Sequence, residues 1–249
     1  MKNTEIMRNY AISRDKLTLG VAVAFVGVLV RKHLPESYTP TNQDDSKMPI
    51  INIFQKDLKT FITVFFLNII FAVGFYTVFI YNPIWMQKFI HTSKSYSLEI
   101  NSISLFITII AIFISSYFSN KVGRKPILLF ATATITLFSY PLYGMMLGNV
   151  YHHALIGQAI FAILIGMFMG VVGIVMVELF KSDIRMSAIS ISFNLCFAIF
   201  GGTAPMIATW LIHTTHNNLS IAWYLSMASL ISFIAILTIP ETYKKKLNE

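Results

Sequence analysis

Charged residues are scarce in this sequence. Asp, Glu, Lys and Arg make up 12% of its 249 residues, whereas soluble domains carry about 25%. Four long stretches contain none of them: Thr60–Gln87, Ile100–Asn120, Pro126–Val177 and Met186–Pro240. Each stretch is long enough to cross a bilayer as a helix, which takes about 20 apolar residues. The composition therefore argues against a water-soluble fold and predicts an all-α integral membrane protein.

Two of these stretches are too long for a single crossing. Each contains a polar break, Gly148–His153 in one and His213–Ser220 in the other, and we interpret both breaks as turns. The sequence thus predicts six membrane spans, at about 60–81, 99–119, 126–147, 154–177, 186–212 and 221–239. A weaker seventh candidate runs from Leu17 to Val30. It also fits the start of a secretory signal, but the basic run 31–33 follows it instead of a cleavage site.

Cysteine and catalytic motifs are scarce as well. Cys196 is the one cysteine of the sequence, so no disulfide can form within the chain. His213 and His216 lack the glutamate and the spacing of a zinc-binding helix, and no G-x-S-x-G or phosphate-binding loop motif occurs. The sequence therefore predicts neither an enzyme nor a bound metal or other cofactor.

The charges that are present lie near the ends of the predicted spans. When the basic turn 121–125 is placed in the cytoplasm, 13 of the 19 Lys and Arg residues face the cytoplasm, as short cytoplasmic loops favour. The net charge of +8 then reflects membrane topology, and we expect contacts with membrane lipid and none with nucleic acid. Four basic residues within 1–16 fall on the opposite side. We therefore interpret residues 1–16 as a non-native or disordered tail.

Four short segments resemble a known family. Ser119–Lys125 (SNKVGRK) is similar to the D-R-x-G-R-R/K loop of the major facilitator superfamily. Glu178–Pro205 (ELFKSDIRMSAISISFNLCFAIFGGTAP) resembles a stretch of the metabolite:proton symporter family, which includes the proline/glycine-betaine carriers. Arg31–Ser37 (RKHLPES) and Pro240–Thr242 (PET) are similar to the sequences that follow the sixth and twelfth helices there.

The resemblance begins near residue 17 and implies the C-terminal six-helix lobe of a twelve-helix carrier. Residues 17–31 would then be a partial sixth helix, 32–59 the cytoplasmic loop between lobes, 60–239 helices 7 to 12, and 240–249 a cytoplasmic tail. We expect the chain to be a C-terminal portion only, since nothing in it matches helices 1 to 5. The resemblance also implies a multi-pass protein of the bacterial inner membrane.

The function implied by the resemblance is secondary active transport. It would be proton-coupled symport, by alternating access, of a small organic solute such as proline, betaine or a carboxylate. The interior of the six predicted spans contains no Asp, Glu, Lys or Arg, so the proton relay would lie in the other lobe. We therefore expect a partner, either an N-terminal half or a second copy. Two alternatives remain open: a non-functional truncated remnant, and a membrane structural or assembly protein.

Uncharged polar residues within the spans are the candidates for a substrate-facing surface. An amide in hydrocarbon needs either a neighbouring helix or a water-lined cavity. Asn194, Ala198, Gly201 and Pro205 fall on one face of an α-helix, and the glycines and the proline weaken that helix as in discontinuous transporter helices. The substrate-facing candidates are Asn68, Tyr76, Asn194, Gly201, Gly202 and Thr203. Helix packing is the alternative role for these residues.

Two further patterns concern packing and aromatic contacts. Gly166 and Gly170 are four residues apart and predict close helix packing. Phe71, Phe75, Tyr76 and Phe79 form an aromatic stripe that would hold a quaternary ammonium group by cation–π attraction if it lined a cavity. Contact with lipid is the alternative for this stripe.

The resemblance also assigns residues to a gating charge network at the cytoplasmic end. Its candidate members are Asn120, Lys121, Gly123, Arg124, Lys125, Glu178 and Arg185. Glu178 and Arg185 are expected within reach of Arg124 and Lys125, where charges would stabilise one of two conformations. Plain surface ion pairs are the alternative. Asn120 replaces the acid usual in the family, so any ion pair of that acid is lost.

Overall fold

The computed structural model describes residues 21, 27–29, 57–148, 150–182 and 184–243. The chain divides into two compact units, residues 1–46 and 47–249. In the first unit, residues 21 and 27–29 are helical. The predicted tail 1–16 and nearly all of the predicted partial helix and loop up to residue 59 lie outside the described residues, and the end of the chain from 244 does so too. These segments stay predictions.

Six helices, each long and apolar enough to cross a membrane, form the described part of the second unit, which contains no strand. They are α1 (Leu58–Phe89), α2 (Lys94–Val122), α3 (Arg124–Met146), α4 (Tyr151–Leu179), α5 (Arg185–Thr215) and α6 (Ser220–Thr238). Each predicted span falls within its helix to within one residue. The all-α membrane fold predicted from the sequence is therefore confirmed.

Helix α1 continues eight residues beyond the predicted end of the first span. The sequence Asn82-Pro83 resembles a helix end, yet a π-helical segment, Tyr76–Tyr81, leads directly into a last α-helical segment, Asn82–Phe89. Pro83 stands in the first turn of that segment and has no N–H to donate to the preceding turn, where Gln158 Nε2 donates to the Val78 carbonyl oxygen at 3.2 Å instead. Helix α5 uses the same arrangement, with a π-helical segment at Phe197–Gly201 and a proline in the first turn that follows.

Helices α2 and α4 pack along much of their length through small residues. Every third or fourth residue of α2 is buried, and most of these residues are Ser, Thr or Ala. A Cβ atom added at Gly166 would lie 2.7 Å from Ala111 Cβ, and one added at Gly170 would lie 2.5 Å from the carbonyl oxygen of Ile112. Both helices therefore approach too closely for larger residues, and the close packing predicted from these two glycines is confirmed.

The six helices differ in how much of their surface the lobe buries. Helices α1 and α4 are the most buried: within an apolar stretch of 18 residues, 61% of α1 and 56% of α4 is buried inside the lobe. The corresponding share is 28% in both α2 and α5. Helix α1 packs between α5 and α6, and α3 packs between α4 and α6. The broad uncovered faces of α2 and α5 are thus available to lipid or to another protein.

Candidate functional site

The turn between α2 and α3 is built on Gly123. Its φ of +108° is a backbone conformation that glycine adopts without steric cost. The turn leaves Arg124 at the start of α3, where Nη1 forms an ion pair with Glu178 Oε1 on α4. Both side chains are 12% exposed. Water screens the attraction between these two charges less than it screens surface charges, and burial of both groups carries a desolvation cost that opposes this gain.

Glu241, just after α6, completes the same turn. Its carboxylate oxygens accept hydrogen bonds from the backbone N–H groups of Arg124 (3.0 Å) and Lys125 (3.1 Å). These donors belong to the first turn of α3 and have no partner within the helix, and a negative charge there is favourable. Lys125 Nζ donates in return to the carbonyl oxygens of Leu237 (2.9 Å) and Ile239 (2.7 Å). We term Arg124, Lys125, Glu178 and Glu241 the cytoplasmic clamp, because they join the ends of α3, α4 and α6 that are predicted from the sequence to face the cytoplasm.

The other predicted members of the charge network bond elsewhere. Lys121 Nζ lies 4.5 Å from the centre of the Tyr117 ring, and Asn120 donates to a carbonyl one turn back in α2. Arg185 Nε donates to the carbonyl oxygen of Phe180 at 3.1 Å. The structure thus joins Arg124 to Glu178 and adds Glu241, which was not among the predicted residues. A role in gating stays a prediction.

Aromatic rings gather on the face where α1 meets α5. We term them the aromatic surface: Phe71, Phe75, Tyr76, Phe193 and Phe197. The rings of Phe193 and Phe197 are stacked, with centroids 4.3 Å apart, and the Phe71 ring packs edge-on against them at 5.6 and 5.1 Å. All five side chains are only partly buried, so parts of the rings remain exposed.

The π-helical segments of α1 and α5 both begin at this surface. Tyr76 starts the first and Phe197 the second, and their ring centroids are 6.4 Å apart. A Cβ atom added at Gly201 would lie 2.9 Å from Tyr76 Cε2, so the absence of a side chain lets the ring lie against α5. Irregular segments of this type are rare and frequently occur at functional sites. The structure therefore brings two of the predicted candidates, Tyr76 and Gly201, into contact.

Beside the aromatic surface, α5 exposes a stripe of small and polar residues. Ser190, Asn194, Ala198 and Gly202 are exposed and follow one another at intervals of four. Asn194 Nδ2 donates to the Ser190 carbonyl oxygen at 2.8 Å. The predicted stripe continued through Gly201, but Gly201 is buried, because the wider π-helical turn rotates it inward and brings Gly202 to the exposed face. Thr203, partly buried, donates to a carbonyl of the preceding turn.

Asn68 lies inside the lobe. Its side chain is fully buried, and Nδ2 donates to the Val64 carbonyl oxygen at 2.8 Å and to Met176 Sδ at 3.2 Å. In this conformation Asn68 takes part in packing between α1 and α4. Its role in binding a substrate stays a prediction.

A cluster of three amides, two of them fully buried, was missed by sequence reasoning. Gln158 on α4 donates from Nε2 to Asn101 Oδ1 on α2 at 2.9 Å and to the Val78 carbonyl oxygen at 3.2 Å. Asn82 Nδ2 donates to Gln158 Oε1 at 3.1 Å. Gln158 thus joins three helices and gives a partner to a carbonyl of the π-helical segment in α1. A lone glutamine in an apolar span was the available indication of this role.

Two apolar grooves lie on the outside of the lobe. One of about 370 Å³ is lined by residues of α2, α3 and α4, among them Ile110, Ile114 and Phe118. The other, about 300 Å³, lies between α1 and α6. Within the described ranges, no three His, Cys, Asp or Glu side chains lie close enough to share a metal ion.

Comparison of the sequence with known proteins identifies a family and several relatives. The sequence profile of the Major Facilitator Superfamily matches residues 64–249. The chain is 27% identical over 232 residues to a "Putative proline/betaine transporter" of Staphylococcus aureus (strain COL), which covers 90% of this chain and 49% of the relative. It is 26% identical over 214 residues to the "Proline/betaine transporter" of Escherichia coli (strain K12), which covers 83% of this chain and 41% of that relative.

A relative from Staphylococcus haemolyticus (strain JCSC1435), also a "Putative proline/betaine transporter", is 26% identical and covers 90% of this chain. The chain spans about half the length of the Staphylococcus relatives, 49% and 48% of them. The six apolar helices and these relatives identify a multi-pass protein of the plasma membrane. With most of its length matched by the family profile, the chain belongs to the Major Facilitator Superfamily.

Proposed function

We propose that this chain supplies one lobe of a secondary carrier that moves a small organic solute across the plasma membrane by alternating access, in symport with protons. Membership of the Major Facilitator Superfamily supports transport. The names of the relatives support proline or betaine as the solute. The observation within this molecule that carries the proposal is the partly open aromatic surface beside the exposed stripe of α5.

The chemistry of this surface favours a zwitterion with a quaternary or secondary ammonium group. Aromatic faces attract such cations by cation–π interaction, worth about 0.5–2 kcal/mol per well-placed ring. The amide of Asn194 is exposed nearby on α5 and is suited to a carboxylate. A solute with only carboxylate groups would favour Arg or Lys, and the aromatic surface contains neither.

The proposal includes a second lobe, because the aromatic surface covers a solute from one side only. That lobe would be an N-terminal half or a second copy, and the open faces of α2 and α5 offer it a contact area. The proton relay is proposed to lie in an N-terminal half, since the interior of the spans in this chain, and therefore in any second copy of it, has no Asp, Glu, Lys or Arg. In the rocking motion, the cytoplasmic clamp would keep the ends of α3, α4 and α6 together.

Uptake of radiolabelled glycine betaine and proline in a bacterial strain without its own carriers tests the proposal. We would compare this chain alone with a chimera in which residues 57–243 replace the matching lobe of the Staphylococcus aureus relative. The chimera should accumulate solute, and a protonophore should abolish accumulation. A chimera that reaches the membrane in normal amounts but neither binds nor accumulates the solute would contradict the proposal and favour a structural role. Transport by the chain alone would identify a second copy as the partner.

Two variants test whether the solute binds at the aromatic surface. Phe197→Ala in the chimera should raise KM for betaine roughly tenfold, since loss of about 1.4 kcal/mol corresponds to a factor of ten. Phe113→Ala is the control, because Phe113 on α2 is 72% exposed and lies outside the aromatic surface. Equal KM values for the two variants would contradict the proposal that the solute binds at the aromatic surface.

A further inference from the structure

The backbone hydrogen bonding of α1 is interrupted at Asn68. The segment Leu58–Leu67 ends there and Ile69–Phe75 begins, and Asn68 has a ψ of −8° instead of the helical value of about −42°. The Ile70 N–H donates to Ser232 Oγ at 2.9 Å, and Ser232 Oγ donates to the Phe66 carbonyl oxygen at 2.9 Å. A hydroxyl of α6 thus stands between two groups that an uninterrupted helix would join directly.

This insertion permits two arrangements with the same number of hydrogen bonds. In the observed one, Ser232 bridges Ile70 and Phe66. In the other, Ile70 N–H would donate directly to Phe66, and the Ser232 hydroxyl would donate to a carbonyl of the preceding turn of its own helix, as buried serines commonly do. Neither arrangement leaves a backbone group of α1 without a partner, so exchange between them avoids the cost of a broken buried hydrogen bond.

Asn68 makes the observed arrangement less favourable than its bond count alone suggests. Its Oδ1 is buried and accepts no hydrogen bond from any residue that the structure describes. Buried polar groups are nearly always paired, and an unpaired acceptor raises the free energy of the conformation that contains it. The observed arrangement thus contains an unpaired buried acceptor at the residue where the helix is interrupted. Helices bend where a side chain enters the ladder of backbone bonds, so the two arrangements differ in the direction of α1.

We infer that residues 68–70 form a hinge in α1 whose state is set by the Ser232 hydroxyl. The part that moves is Leu58–Leu67, which packs against the first half of α5 and against α6, at the end of the lobe that carries the cytoplasmic clamp. The hinge itself follows from the hydrogen bonds above. Its use, as a cytoplasmic gate that opens and closes the path to the aromatic surface, rests on the proposed function.

Spin-label distances in the purified chain test the hinge without any solute. Labels at Ile62 and Val122, which are 44% and 60% exposed, report on the cytoplasmic segment of α1 against the end of α2. Labels at Ile80 and Phe106, also exposed, report on the other side of the hinge. The native chain should show two distances for the first pair and one for the second. A single distance for the first pair would overturn the inference.

Ser232→Ala should convert the first pair to a single distance and increase protection of the Ile70 amide against deuterium exchange, because the direct bond to Phe66 then forms. Ser229→Ala is the matched control. Ser229 is equally buried, one turn away on α6, and donates to the Thr132 carbonyl oxygen at 2.8 Å, yet it interrupts no helix. Reduced protection at Ile70, or the same distance change in both variants, would show that Ser232 only packs. The hinge is tested in the purified chain without solute, whereas transport is tested by uptake in the chimera. A negative result in one experiment therefore does not decide the other.

Discussion

Glu241 caps the N-terminus of α3 at the end of the lobe that carries the cytoplasmic clamp. Two basic residues, Arg124 and Lys125, open α3, although positive charge is unfavourable at a helix N-terminus. The Glu241 carboxylate compensates, since it accepts both of their backbone N–H groups. The motif Pro240-Glu-Thr242 was visible in the sequence as part of the family resemblance. Its contact with a turn more than 100 residues earlier was not, because spacing along the chain does not reveal tertiary pairing.

Replacing the Glu241 carboxylate should lower the thermal stability of the lobe. Glu241→Ala removes a helix cap, which costs about 1 kcal/mol of unfolding free energy, so Tm in detergent should fall by about 2–4 °C. Glu99→Ala is the control: Glu99 bonds the exposed Tyr151 hydroxyl and caps no helix. Thermal unfolding followed by intrinsic fluorescence measures both. Equal shifts for the two variants would argue against the cap.

The two asparagines of the predicted substrate-facing group should respond differently. Asn194 is exposed, so Asn194→Ala should lower betaine uptake by the chimera and change the unfolding free energy by less than about 0.5 kcal/mol. Asn68 is fully buried and bonded to Val64 and Met176, so Asn68→Ala should reduce membrane abundance through lost stability. Uptake assays and quantitative immunoblots separate the two effects. Loss of abundance in Asn194→Ala would assign that residue to packing.

At the scale of the helix, the sequence predicted well where each helix lies along the chain. It predicted the local backbone geometry within a helix less well. The prediction that Asn194, Ala198 and Gly201 share one face assumed α-helical spacing. Because Phe197–Gly201 is π-helical, Gly202 is exposed in place of Gly201. Such segments have no distinct periodicity in a sequence. They form where neighbouring side chains supply partners for displaced backbone groups, as Gln158 does for the Val78 carbonyl oxygen, and those partners lie on other helices.

The contact between α2 and α4 yields a prediction at the same scale. A Cβ atom at Gly170 would lie 2.5 Å from a carbonyl oxygen of α2, whereas one at Gly173 would have no atom within 4 Å. Gly170→Ala should therefore lower the unfolding free energy by about 1–3 kcal/mol through overpacking. Gly173→Ala should leave it unchanged or raise it by up to about 1 kcal/mol, because alanine favours the helix. Thermal unfolding in detergent measures both, and a stabilised Gly170→Ala variant would contradict the packing described.

For the molecule as a whole, long apolar runs determined the number and order of the helices, because each crossing needs about 20 apolar residues whatever its neighbours are. How the helices pair was not predictable in this way. Nearly every span is apolar on all sides, so amphipathic periodicity does not show which face turns inward. The aromatic surface illustrates the difference: Phe71 and Tyr76 were noted as a stripe, but their contact with Phe193 and Phe197 depends on α5 lying against α1.

The orientation of the lobe in the membrane is the prediction that belongs to the whole molecule. Six described Lys and Arg residues, at 59, 121, 124, 125, 181 and 185, lie at the end with the cytoplasmic clamp, and two, Lys88 and Lys94, lie towards the other end. Because short loops rich in Lys and Arg are retained in the cytoplasm, Asn120 should face the cytoplasm and Asn217 the outside.

Both residues are exposed, and Cys196 is buried, so Asn120→Cys and Asn217→Cys each introduce one accessible thiol. A membrane-impermeant maleimide should label Asn217→Cys in intact cells and Asn120→Cys only after permeabilisation. Labelling of both in intact cells, or the reverse pattern, would contradict this orientation and would place the proposed gate at Leu58–Leu67 on the wrong side of the membrane.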